Sequence, residues 1–320
     1  MSTKQPWLTD GGLETSMIFH DGFDLPFFAS LHLLESDEGR AALTNYFDRY
    51  LAIAREAETG FVLDTATWRS GAAWAEPLGR SEADMENSVR AAVAFADAFR
   101  ATRETSETPI ILNGVIGPAG DGYSPDALLS AEEAEAIHIK QARWMADAGA
   151  EVISAVTMTH SGEAIGIVGA AEAVGLPVVI SFTVETDGHL PTGQSLGDAI
   201  TETDAATGKA AIYYMVNCAH PDHFSAEFTG GWVERVSGVR ANASRMSHAE
   251  LDEAEELDDG NPEEFGLLHG EFARRFPNLR VIGGYCGADD RHVGLQRGMS
   301  FSNRPTPPDR RSLVRPSYFS

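Results

Sequence analysis

Two residues in this chain carry thiols, and each closes an apolar run. Cys286 ends Val281-Ile282-Gly283-Gly284-Tyr285-Cys286, and Cys218 ends Ala211-Ile212-Tyr213-Tyr214-Met215-Val216-Asn217-Cys218. Short runs rich in β-branched and aromatic residues read as buried strands, so both thiols are expected at strand ends. The glycines before Tyr285 are expected to let the backbone turn sharply, so that residues beyond the strand face a common centre. Two cysteines far apart in sequence argue against a disulfide framework. They leave thiolate chemistry, metal binding or plain core filling.

Other polar residues fall at comparable places. Asp10 follows Trp7-Leu8-Thr9, Thr157 follows Glu151 to Val156, Asn217 precedes Cys218, and Asn242 follows Val236 to Ala241. Further apolar runs are Phe61 to Leu63, Pro109 to Leu112 and Val178 to Phe182. Between them lie helical periods: Leu43, Phe47, Leu51 and Ala54, with Gly60 expected to stop that helix, and Met85, Val89, Val93, Ala96 and Phe99. Ser81 with Asp84 and Ser130 with Glu133 have capping spacing, and Gly149 and Gly175 suit helix ends. Eight strands alternating with helices predict an α/β chain folded as a (β/α)8 TIM barrel, since polar or thiol residues end nearly every strand. An open doubly wound sheet is the rival architecture. The barrel is expected to occupy residues 1–300 as one domain, and a Pro/Arg-rich stretch over 301–320 reads as a flexible tail or an arm on a neighbouring subunit, giving a homo-oligomer.

Several of these stretches resemble the homocysteine S-methyltransferase family. Asp10-Gly11-Gly12-Leu13-Glu14-Thr15 is similar to its D-G-G-L-x-T opening, Ser181-Phe182-Thr183 to its S-F-T strand, and Asp187-Gly188-His189-Leu190 and Gly193-Gln194-Ser195-Leu196 to its D-G-x-L and G-x-S-L segments. Val216-Asn217-Cys218 and Gly283-Gly284-Tyr285-Cys286 resemble the strand ends that carry its cysteines. The resemblance runs from about Trp7 to Val293. It implies a methyltransferase that moves a methyl group from a sulfonium or ammonium donor to homocysteine or a related thiol activated on Zn2+, as in methionine biosynthesis. It also implies Cys218 and Cys286 as zinc ligands, with Tyr285 standing where the family has a further cysteine and Asp10 or His220 as another candidate donor. Asp10 would hold a substrate ammonium group, and Asn217, Asn242 and Thr157 would contact substrate. Two departures fall on positions the family uses directly: Tyr285 replaces a zinc cysteine and Val156 replaces a substrate glutamate. Thr65-Ala66-Thr67-Trp68-Arg69 also departs from T-N-T-x-Q at two polar positions. A zinc-less relative that binds a small molecule or runs altered chemistry is the alternative.

Bulk properties limit the partners. A formal net charge of -24, with lysine only at positions 4, 140 and 209, argues against nucleic-acid or anionic-lipid binding. No uninterrupted apolar run approaches the roughly 20 residues of a membrane span, so a cytoplasmic protein acting on small molecules is expected. Lys209, Lys140 and Lys4 fall at no predicted strand end, which disfavours a lysine-dependent barrel lyase. The acidic stretch from Glu250 to Asp259 reads as a solvated helix face or loop.

Overall fold

The computed structural model describes residues 6–123 and 128–296. Eight parallel strands close into a barrel in chain order: β1 (Trp7–Leu8), β2 (Phe61–Asp64), β3 (Ile110–Ile116), β4 (Val152–Met158), β5 (Val178–Phe182), β6 (Tyr213–Asn217), β7 (Val236–Ala241) and β8 (Val281–Gly284). Closure is made by β8 against β1, with Trp7 opposite Val281 and Leu8 opposite Ile282. This is the expected (β/α)8 barrel, and the open sheet is ruled out. Residues 301–320, with the arm and homo-oligomer assigned to them, lie outside the described residues. No helix among the described residues is long and apolar enough to cross a membrane.

The helices form where local sequence asks for them. Ser81 and Ser130 each accept the backbone N–H three residues on, while Asp84 and Glu133 reach back, so the helices Glu82–Arg103 and Ala131–Ala148 begin with reciprocal caps. Gly149 and Gly175 end helices in the left-handed conformation, as their positions predict. The helix Asp37–Glu56 stops before Gly60. Gly60 serves another purpose: a Cβ there would collide with the Trp7 indole.

Strand alternation divides the barrel into two packing surfaces. Phe61, Leu63, Ile110 and Leu112 pack outward in the large core shared with the helices. Trp7, Val62, Ile111, Val152, Val179 and Val281 belong to a separate apolar cluster in the barrel interior. Further along the same strands the interior turns polar. Asn113 donates to Asp64 at 2.7 Å, and Ser154 donates to Asn113 at 2.8 Å. An apolar plug at one end therefore supports a polar layer beneath the strand C-termini.

Gly283 and Gly284 lie within β8 itself and make no sharp turn. Their requirement is close approach. A Cβ at Gly283 would overlap Thr9 Oγ1, and one at Gly284 would meet Ala288 Cβ at 2.6 Å. The left-handed turn comes later, at Gly287 with φ +75. Gly283→Ala is expected to cost about 1–3 kcal/mol by overpacking the β1–β8 seam, read as a lower urea midpoint with an unchanged slope.

Candidate functional site

The two sulfurs meet. Cys218 and Cys286, carried past the ends of β6 and β8, place their Sγ atoms 3.7 Å apart. Cys218 is buried and Cys286 partly so, and both line one cavity of about 380 Å³ over the C-terminal end of the barrel. Tyr123, on the segment after β3, brings its hydroxyl to 3.2 Å from Cys218 Sγ and 3.8 Å from Cys286 Sγ. Burial, and then the two sulfurs, push the Tyr123 phenol well above its ordinary range. It therefore keeps its proton and donates to sulfur. Burial alone would raise the Cys218 thiol, yet hydrogen bonds from Cys286, His248 and Tyr123 outweigh it and hold Cys218 well below the usual thiol range. Cys286 is pushed up by Cys218 and by burial. Of the pair, Cys218 is therefore the more acidic thiol.

Cys218 is aimed by an uncommon backbone. It has φ +56 although it is not glycine, as does Thr157 at +64, and such left-handed residues persist only where neighbours hold them. The Cys218 N–H donates to the Arg240 carbonyl at 3.2 Å, and the Cys218 carbonyl accepts from His248 Nε2 at 2.7 Å. His248 is fixed from its other side by Glu185 at 2.8 Å, and its ring stacks on Tyr123 at 4.2 Å between centroids. Burial works against the imidazolium, but Cys218 and Glu185 raise His248 to about 10.

Asn217 is fully buried and is the clamp on Thr157. Its Oδ1 accepts from the Thr157 N–H at 2.9 Å and from Ser181 Oγ at 2.6 Å, while its Nδ2 donates to Thr157 Oγ1 at 2.9 Å. Thr157 itself lines the cavity and meets the Tyr285 hydroxyl at 3.1 Å. Tyr285 thus reaches across to β4 and turns its oxygen to Thr157, beside the Val156 that also lines the cavity. Asn242 approaches Cys218 Sγ at 3.7 Å through Nδ2, and its Oδ1 is buried without a partner among the described residues. His220 caps the helix Pro221–Phe224 by accepting from the Asp222 N–H, and burial lowers it to about 4. It does not line the cavity.

Asp10 reaches the cavity already occupied. Arg240 pairs with both Asp10 and Asp64, and Tyr46 donates to the second Asp10 oxygen at 3.2 Å. Because one guanidinium serves two carboxylates, burial dominates and lifts Asp10 to about 7. Sequence reading missed Arg240, an arginine in an otherwise apolar strand, which was the available signal. It also missed Glu14, a half-buried carboxylate that lines the cavity and whose pKa burial raises. Tyr123 had no local signal, since only the fold brings its loop to the sulfurs. The acidic stretch read as solvated contributes Leu251, Asp252, Glu256 and Asp258 to the cavity wall.

The donor set can be compared with what a zinc ion needs. A tetrahedral ion with Zn–S bonds near 2.3 Å spaces two sulfurs about 3.8 Å apart, and the observed pair meets that edge. Catalytic zinc sites use three protein donors of imidazole, thiolate or carboxylate type. Among the described residues no group of three His, Cys, Asp or Glu could hold a metal ion. The third donor atom beside the sulfurs is the oxygen of the Tyr123 phenol, which keeps its proton. These residues therefore fit one edge of a zinc site and fall one anionic donor short of a catalytic one.

Residues 7–295 match the family model described as homocysteine S-methyltransferase. No curated protein matches the sequence. Among solved structures, the homocysteine methyltransferase MmuM from Escherichia coli in its oxidized form aligns with TM-score 0.71 at 19% identity, covering 92% of this chain and 96% of that one. Its metallated form aligns with TM-score 0.70 at 18% identity, covering 93% and 97%. At these identities the structural likeness concerns the fold.

The raised Asp10 pKa has a testable sign. A carboxyl whose folded pKa lies above its unfolded value adds stability that is complete below about pH 4 and is lost as pH rises through about 7. Asp10→Asn should therefore show a smaller fall in urea midpoint between pH 4.5 and 7.5 than the parent chain. An equal fall in both would place the titration elsewhere.

Proposed function

Because the chain belongs to the homocysteine S-methyltransferase family, we propose that it moves a methyl group from a sulfonium or ammonium donor to a small-molecule thiol, homocysteine or a close relative. The observation that carries this reading is the pair of sulfurs 3.7 Å apart in the wall of a barrel cavity that also holds aromatic side chains. In such a transfer the acceptor sulfur, after losing its proton, attacks the donor methyl carbon. The new S–C bond forms as the donor's S–C or N–C bond breaks, and the donor leaves uncharged. With homocysteine the product is methionine.

The chain's own residues suit this chemistry in stated ways. Phe27, Phe28, Trp68 and Trp74 line the mouth, and aromatic faces favour onium groups. Tyr285, Val156 and Leu251 contribute apolar surface to the same cavity wall as the sulfurs. Glu14 offers a carboxylate to an acceptor ammonium in the place where Asp10 is already paired with Arg240. Thr157 lines the cavity with its hydroxyl bonded to Asn217 and Tyr285, while Asn217 and Asn242 act through Thr157 and Cys218.

Zinc is the finer part of the reading. When bound in this family it supplies a thiolate acceptor at neutral pH, and here Cys218 and Cys286 would hold it. Because the donor set is one anion short, zinc in protein purified without chelator is expected to fall below one ion per chain by mass spectrometry. Tyr285→Cys, which adds a sulfur beside the pair, should raise it toward one. Full occupancy in the parent chain would show that another donor completes the site.

A second reading, a zinc-less binding protein or an enzyme of altered chemistry, is favoured by Tyr285 bonded to Thr157 and by Val156. An assay for the methylated thiol with a panel of sulfonium and ammonium donors separates the two. Product with any donor supports methyl transfer; none with every donor, under conditions where ligands bind, favours the second reading.

A further inference from the structure

His138 and Glu163 form a buried pair beside the segment that follows β3. Each is 3% exposed, and neither is part of the cavity wall. His138 belongs to the helix Ala131–Ala148, and Glu163 to the first turn of the helix Ser161–Val174, which follows β4. A carboxylate buried so deeply persists only where donors answer it.

One oxygen of Glu163, Oε1, accepts from His138 Nε2 and from the Ala119 N–H, both at 2.8 Å. Burial works to raise the Glu163 pKa, yet His138 and the Ala119 N–H outweigh it and hold the carboxyl below its usual range. The two donors come from different places. His138 braces Glu163 from a neighbouring helix, whereas Ala119 lies on the segment that leads to the sulfurs.

That segment, residues 117–123, ends on Tyr123, whose hydroxyl stands 3.2 Å from Cys218 Sγ. Its backbone is gripped from two sides. From the stretch after β2, the Trp68 carbonyl accepts the Gly117 N–H at 3.0 Å, Trp74 donates to the Pro118 carbonyl at 3.0 Å, and Arg69 donates to the Gly120 carbonyl at 2.8 Å. Between these, Glu163 takes the Ala119 N–H from the side of β4. Further along, Gly122 passes so close to Thr157 that a Cβ there would meet Thr157 Cγ2 at 3.0 Å. The path of the backbone is therefore set before Tyr123 reaches sulfur.

We infer that Glu163 is a positioning residue for the sulfur pair: braced by His138, it holds the Ala119 N–H and so fixes where the Tyr123 hydroxyl stands. It touches neither sulfur and acts through the backbone of residues 119–123. This goes beyond the methyl-transfer reading and rests on it only for the effect on turnover.

Fluorine NMR on the full chain labelled with 3-fluorotyrosine tests the inference. The Tyr123 signal is identified by its loss in Tyr123→Phe. Its ring stacks on His248 with centroids 4.2 Å apart, so the signal should lie away from that of free 3-fluorotyrosine. Glu163→Ala should carry it at least halfway back to the free position, while the signal of Tyr46, buried on the helix Asp37–Glu56, stays in place. Glu163→Gln keeps an oxygen for the Ala119 N–H and should leave the Tyr123 signal near its parent position.

An unmoved Tyr123 signal in Glu163→Ala, equal movement of the Tyr46 signal, or equal movement of the Tyr123 signal in Glu163→Gln would overturn the inference. Thermal melts establish that Glu163→Ala is folded. If it is not, Ala119→Pro, which removes the N–H and leaves Glu163 and His138 paired, is read in the same way, and an unmoved signal again overturns.

Turnover supplies an independent arm. Where a methylated thiol forms, Tyr123→Phe, Glu163→Ala and the two together should lower kcat by a similar factor, because Glu163 acts through Tyr123; losses that multiply would overturn the inference. No product with any donor, alongside the expected fluorine shifts, would sink the methyl-transfer reading and leave this one standing.

Discussion

The guanidinium of Arg240 is the interaction on which the site's geometry rests. A cation buried in a barrel interior is tolerated only when carboxylates and carbonyls surround it. Arg240 finds Asp64 on β2, Asp10 beyond β1 and the Gly284 carbonyl on β8. Its own carbonyl receives the Cys218 N–H at the end of β6. One residue of β7 thus ties four other strands together just below the cavity. Removing its charge would leave two buried carboxylates without their cation. The same commitment explains why Asp10 does not face the cavity as a free acid.

Above that layer, strain and hydrogen bonding aim the reactive groups. Cys218 and Thr157 both adopt left-handed backbone, which non-glycine residues avoid. Each is held from two sides, Cys218 by Arg240 and His248 and Thr157 by Asn217 and Tyr285. Asn217 therefore matters through geometry, and it spends its amide on Thr157 and Ser181 instead of offering it to a ligand. Tyr123 completes the sulfur pair from a loop that no other part of the site predicts. A protonated phenol there stabilises a single thiolate and offers no third anionic donor.

Much of the architecture was legible in order along the chain. Capping pairs at Ser81 and Ser130 and left-handed glycines at 149 and 175 mark helix ends because those motifs satisfy orphan backbone groups locally. Eight apolar runs with polar termini imply the closed barrel because interior strands must be apolar while active ends need not be. Reading failed where a residue's purpose lies across the barrel. Gly283 looked like a turn and proved to make room for Thr9. The stretch after Glu250 is solvated as its acids predict, with Asp252, Glu253, Glu255 and Glu256 exposed, but its part in the cavity wall, through Leu251 and Leu257 among others, had no local signal.

By itself the sequence determined the fold class and the positions of the two thiols at strand ends. Both follow from local pattern and spacing. Only the tertiary structure decided that the sulfurs lie on one edge of a common site, that Tyr285 turns its oxygen to Thr157 while Tyr123 takes the place beside sulfur, and that the Arg69 guanidinium lies over the rings of Trp68 and Trp74. The physical reason is that hydrogen bonds and ion pairs between strand ends are contacts between residues far apart in the chain. Barrel closure and register choose those partners, and neither can be read from any one segment.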